Sequence, residues 1–150
     1  MIGSRAVVED EAIAAVLRLY IEGVADGDGA KLKQAFHEHA RTYGSLNGTR
    51  HDMSVAEMVA IEERAPRNRD GRYSAHIMSI GQAGDVATAT IEEDGCWGTA
   101  SFTSFVSLVR FDGRWQIVSR VVAHVSGALP PASPLTSVHD VHAEQPQLPR

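Results

Sequence analysis

The side chains here that could do chemistry are seven histidines, three tyrosines and a single cysteine. His76 stands in an alternating segment, Arg72 to Ile80, whose pattern turns it to the same side as Met78 and Ile80. An imidazole projecting inward among apolar groups has its charged form disfavoured, so a neutral ring there could act as base or polarising donor near neutral pH. The plainer reading of His76 is a core histidine satisfied by one backbone carbonyl. Tyr20, Tyr43 and Tyr73 could supply phenolic donors to a substrate oxygen, or simply pack with their hydroxyls at a rim. His51 and Asp52 could pair as imidazole and general base, or sit in a solvated loop before a helix cap. The pairs His37-x-His39 and His139-x-x-His142 lack a companion Cys/His pair or an HExxH helix, so no metal site is read and no cofactor is expected. Cys96 has no neighbouring cation in sequence to activate it and is given no nucleophilic role.

The elements that must position these groups centre on Phe102 to Val125, two apolar runs joined at Asp112-Gly113, a dipeptide suited to a type I′ hairpin turn. Pairing Phe111 with Arg114 sets Arg110 opposite Trp115, Leu108 opposite Ile117, Val106 opposite Ser119, Ser104 opposite Val121 and Phe102 opposite Ala123 on an inward face. The other face carries Phe111, Val109, Ser107, Phe105, Val118 and Val122 beside Arg114, Gln116, Arg120 and His124. It is too apolar to stay in water, and a second copy of the chain is the simplest cover, so a homodimer through the outer sheet face is expected.

Helical spacing of Val8, Ala12, Ala15, Val16, Leu19 and either Tyr20 or Gly23 predicts an amphipathic helix over residues 7–25, ended by Asp26-Gly27-Asp28-Gly29. A short helix follows over residues 30–36, then a strand over 41–46 and a turn at Asn47-Gly48. Ser54 reads as the cap of a third helix, Val55 to Arg64, with Glu57 completing a capping box and Pro66 beyond its end. Placing Ala83 opposite Val86 puts His76, Met78 and Ile80 on one face with Ala87, Ala89 and Ile91. Five of the six prolines fall in residues 130–149, so residues 1–126 are read as one domain and 127–150 as an extended or disordered tail. Three helices followed by a meander of strands predict an α+β fold with helices on one face of an antiparallel sheet.

A formal net charge of -5 offers no footprint for a phosphate backbone, so nucleic acid is not expected as a partner. With no leader-like run and no membrane-length apolar stretch, the expectation is a soluble, cytoplasmic protein.

The segment Tyr20-Ile-Glu-Gly23-Val-Ala-Asp26-Gly-Asp28, with Leu32-Lys-Gln-Ala-Phe36-His37-Glu-His-Ala40, resembles the opening of the NTF2-like superfamily, and within it the Putative lumazine-binding family. Phe102 to Arg120 is similar to that family's closing hairpin, so the resemblance spans about residues 7–125. It implies a cone of strongly curved antiparallel sheet around three N-terminal helices, an apolar pocket between the two, and pairing through the outer sheet face. It also implies that Tyr20 and Tyr43 border the pocket and that His37 caps the passage from second helix to first strand. The superfamily holds isomerases, dehydratases, cyclases and epoxide hydrolases beside members without a known reaction. The family often carries an aspartate where this chain has Ser104, which argues against a mechanism resting on a carboxylate there.

The functional expectation is a pocket protein for a small, largely apolar molecule, with Trp97, Phe102, Ser104, Val106 and Met78 lining the pocket. One alternative is a lyase or isomerase abstracting a proton from a small carbonyl or hydroxyl compound, with His76 as acid or base and Tyr43 or Tyr20 polarising an oxygen. Another is a non-catalytic dimeric association module.

Overall fold

A computed structural model describes residues 2–46 and 48–129, with side chains from Asp10 onward. The order is α1 (Ile2–Asp26), α2 (Gly29–Ala35), β1 (Phe36–Leu46), β2 (Thr49–Ser54), α3 (Val55–Arg64), β3 (Ser74–Ala83), β4 (Val86–Cys96), β5 (Ala100–Phe111) and β6 (Arg114–Ser126). The six strands form one curved, unclosed sheet in the order β2-β1-β6-β5-β4-β3, and the three helices pack on its inner face. This is the α+β cone architecture, with one refinement. The β1–β6 pair is parallel while the other four pairs are antiparallel.

Local chemistry explains most boundaries. The Asp28 side chain accepts from the amides of Ala30 and Lys31 and starts α2. Ser54 and Glu57 form the reciprocal capping box of α3, at 3.2 Å and 3.0 Å. Asp112 and Gly113 both take positive φ, as a type I′ turn requires. The segment before α3, for which a solvated loop before the cap is one reading of the sequence, is instead strand β2 paired along β1.

Two β-bulges decide which side chains face the helices. Ala83 does oppose Val86, and Ile80 faces inward with Ala89, but an extra residue between Ile77 and Ser79 inverts the alternation of the earlier half of β3. Ala75, Ile77 and Ile80 therefore pack against the core, while His76 and Met78 are turned outward and exposed. The expected inward placement of His76 and Met78 is thus corrected. In β6 the register holds from Phe111–Arg114 to Leu108–Ile117, then slips by one, so Val106 opposes Arg120, Ser104 opposes Val122 and Phe102 opposes His124. Arg120 and Val122, expected outside, are buried, and Val121 and Ala123 face out.

The outer face carries one cross-strand row through all six strands: Asp52, Tyr43, Val121, Phe105, Thr90 and Ser79. Tyr43, Val121 and Phe105 in that row are 44%, 48% and 55% exposed, a continuous apolar ridge. Tyr43 therefore lies outside, away from the place expected for it beside the helices. Residues 127–129 still pack on the domain, with Thr99 Oγ1 donating to the Ala128 carbonyl and Leu129 against the second apolar cluster. The tail from Pro130, including His139-x-x-His142, lies outside the described residues. No helix among the described residues is long and apolar enough to cross a membrane.

Gly95, at φ 67°, lets β4 turn under the segment before β3, and a Cβ there would sit 2.1 Å from the Arg72 carbonyl oxygen. Gly84 has a similar φ but open space around it. Gly84→Ala should therefore cost only the left-handed strain, about 1 kcal/mol, whereas Gly95→Ala adds a backbone collision and should cost at least about twice that. Equal urea midpoints for the two variants would contradict this account.

Candidate functional site

The inner face is not uniformly apolar. Glu62 on α3, Arg67 just beyond it, Glu93 on β4 and Arg120 on β6 are all buried, together with Tyr20 of α1. Arg67 binds Glu62 through two donors, Nε to Oε1 at 3.1 Å and Nη2 to Oε2 at 2.7 Å, and reaches Glu93 Oε2 with Nη1 at 2.7 Å. Glu93 also accepts from the hydroxyls of Tyr20, at 2.8 Å on Oε1, and Tyr73, at 2.9 Å on Oε2. Arg120 donates from Nη1 to the Tyr20 oxygen at 2.6 Å. The Arg67 guanidinium lies over the rings of Trp97 and Phe102, and that of Arg120 over Tyr20. One connected polar cluster thus bridges the two apolar clusters of the interior.

Each position has a local reason. Glu62 follows Met58 by four residues and Val59 by three, which sets it on the buried stripe of α3. Glu93 continues the inward alternation Ala87, Ala89, Ile91 along β4. The loop bearing Arg67 is tied down by backbone bonds from Arg67 N to the Val24 oxygen and from Trp97 N to the Arg67 oxygen. Trp97 holds a positive φ of 52°, unusual for a bulky residue, with its Nε1 donating to the Ala65 carbonyl and its ring edge-on to Phe102.

Burial opposes the charge on Arg67, but Glu62 and Glu93 outweigh it and hold the guanidinium well above its usual range. Burial raises the Tyr20 phenol above its ordinary value against the pull of Arg120, and burial with the Glu93 charge raises Tyr73. Both phenols are therefore neutral donors. Burial also pushes the Cys96 thiol up to about 12, with Arg67 opposing, so it is not a nucleophile at neutral pH.

Of the side chains singled out from sequence, Tyr20, Phe102, Ser104 and Val106 share the buried inner side, with Trp97 half-buried at its margin. His76, Met78 and Tyr43 do not join them. His51 is buried with Met53, while Asp52 binds Arg41. His37 accepts from the His39 amide at 3.1 Å and lies against Phe111, a surface arrangement. No group of three or more His, Cys, Asp or Glu among the described residues could hold a metal ion. Sequence reasoning missed Glu62, Glu93, Arg67 and Arg120. The first two carried a signal, a charge on an apolar stripe, whereas Arg120 was hidden by the bulge.

The raised groups predict an alkaline limit. An acid whose folded pKa lies above its unfolded value adds stability that is intact below the unfolded pKa and is lost as pH rises. For Cys96 loss begins near the ordinary 9.0 and runs to about 12, and for Tyr20 and Tyr73 it begins near 10.0. Each group costs about 1.4 kcal/mol per pH unit in that window. Urea unfolding at pH 7, 9 and 10.5 should show a steepening fall, shallower in Cys96→Ala and Tyr20→Phe; a flat profile through pH 10.5 would refute the assignment.

Comparisons with known proteins agree with this architecture. The model of the family described as Putative lumazine-binding matches residues 8–122. A curated relative, Aldolase FrzH of Cladobotryum sp, is 26% identical over 113 residues, covering 75% of this chain and 89% of that protein. Among solved structures, an NTF2-like protein of unknown function from Silicibacter pomeroyi DSS-3 superposes with a TM-score of 0.73 at 25% identity, covering 80% of this chain and 98% of that one. Another from Shewanella baltica OS155 gives 0.72 at 25% identity, covering 81% and 97%. A curved sheet enclosing three helices, with a family match over most of the length, makes this chain a member of the Putative lumazine-binding family of the NTF2-like superfamily.

Proposed function

We propose that the protein is a pocket protein that takes a small, largely apolar molecule with one or two polar handles between the helices and the inner sheet face. The buried cluster of Tyr20, Glu62, Arg67, Glu93 and Arg120 carries this reading. Buried ion pairs rarely stabilise a fold better than apolar residues of the same volume, so a core that keeps two arginines and two glutamates has them for something besides stability. Aromatic faces at Trp97, Phe102 and Tyr20 stand around those charges, the combination of apolar walls and few oriented polar groups typical of small-molecule sites. Amide NMR of the full chain against a fragment set of ketones, lactams and lumazine should give saturable shifts concentrated at Tyr20, Tyr73, Trp97 and Ser104. Shifts scattered over the surface, or none, would reject the pocket.

A second reading, a lyase acting beside a carbonyl, is favoured by the aldolase relative together with the Arg120–Tyr20–Glu93 chain. In it Glu93 takes a proton from the carbon next to the carbonyl at Oε1, where Tyr20 now donates, and the electron pair moves to the carbonyl oxygen. Deuterium exchange into small ketones should then be catalysed and be lost in Glu93→Gln; no exchange above buffer leaves binding alone.

The ridge Tyr43–Val121–Phe105 supports a homodimer through the outer face. Beside it runs a trough of about 460 Å³ lined by Gly81, Ala83, Thr88, Ser107 and Val109, among others. A two-fold pairing through this face would cover both ridges. Light scattering should find a dimer that Phe105→Glu converts to monomer or aggregate, and an unchanged dimer would place the contact elsewhere.

A further inference from the structure

The polar cluster is balanced in formal charge, two arginines against two glutamates, but its hydrogen bonds are unevenly shared. Arg67 spends Nε, Nη1 and Nη2 on carboxylate oxygens. Among the described residues Arg120, only 1% exposed, has a single hydrogen bond, to the neutral hydroxyl of Tyr20, which in turn donates to Glu93. Its Nε has no partner among the described residues, and neither does Ser104 Oγ, also fully buried.

The bulged register brings these two unsatisfied donors together. Ser104 opposes Val122 and Val106 opposes Arg120, so Ser104 and Arg120 are diagonal neighbours on the inner face of the central β5–β6 pair. Diagonal positions lie about 7–8 Å apart between backbones, a span that a long arginine side chain and one bridging group cover. A buried guanidinium without a directly bound anion is costly, and a water or neutral carbonyl would satisfy its hydrogen bond but not its charge. A carboxylate does both, accepting from Nε and from the hydroxyl.

We propose that Arg120 Nε and Ser104 Oγ form the seat for a ligand carboxylate, so that the molecule taken is an apolar, flat acid. This rests on the pocket reading above and adds the charge and anchoring atoms of the ligand. The apolar body would lie toward Phe102 and Trp97, and Tyr73 and Trp97, both half-buried, mark the side from which it enters.

The test compares benzoate with benzamide, its uncharged counterpart, by NMR titration of the full chain, reading the Arg120 Nε–H resonance as well as the amides. Benzoate should bind at least ten-fold more tightly than benzamide and shift that resonance. Arg120→Gln should erase the preference by weakening benzoate to the level of benzamide, and Ser104→Ala should weaken benzoate several-fold. If Arg120→Gln does not fold, the wild-type preference, the Nε–H shift and Ser104→Ala decide. Equal binding of the two probes, or a benzoate site that leaves Arg120 Nε–H unmoved, overturns the carboxylate seat while the pocket stands. Failure of both probes to bind overturns the seat and the pocket reading together.

Discussion

The two-donor grip of Arg67 on Glu62, continued to Glu93, is the interaction around which the interior is arranged. It ties the end of α3 to β4, and through the tyrosines on Glu93 it reaches α1 and the segment leading into β3. Removing Arg67 would leave the buried Glu62 carboxylate without a counter-ion, which costs about 3–5 kcal/mol. The helices and sheet are therefore held in one relative placement by geometry as well as by apolar contact. That is what a site needs if its polar groups are to wait in position for a ligand.

The same cluster accounts for the backbone features near it. Trp97 is kept at a positive φ because its indole N–H, its backbone N–H and its ring each have a partner, and the ring also covers Arg67. Gly95 allows the chain to pass under Arg72 where a side chain could not fit. Strain and close approach thus collect around one end of the polar cluster, where supporting contacts over-determine the conformation.

The bulges connect fold to chemistry in a different way. Each adds one residue to a strand, and because side chains alternate with period two, one residue exchanges the faces for everything on one side of it. In β3 the exchange sends His76 out of the interior, which removes the imidazole from any inner-face mechanism. In β6 it brings Arg120 in, which supplies a guanidinium that simple alternation places in solvent.

Helix α3 with its capping box, the Asp28 cap, the Asp112-Gly113 turn and the first half of the main hairpin follow from sequence alone, because each rests on contacts a few residues apart. Phe102, Ser104 and Val106 as inward residues, and the apolar outer face with Phe105, are legible for the same reason: periodicity carries them, whereas Tyr20 at the pocket is an implication of the family resemblance. Glu62 and Glu93 were readable as charges on apolar stripes, although only their shared partner shows why they are tolerated there. The union of Arg67, Arg120, Tyr20 and Tyr73 with those glutamates was decided by tertiary structure, since their positions span a hundred residues and no local pattern couples them. The bulges were decided there too. Where an extra residue is absorbed depends on how a strand must bend to wrap the helices, a property of the whole curved sheet that the strand's own residues do not encode.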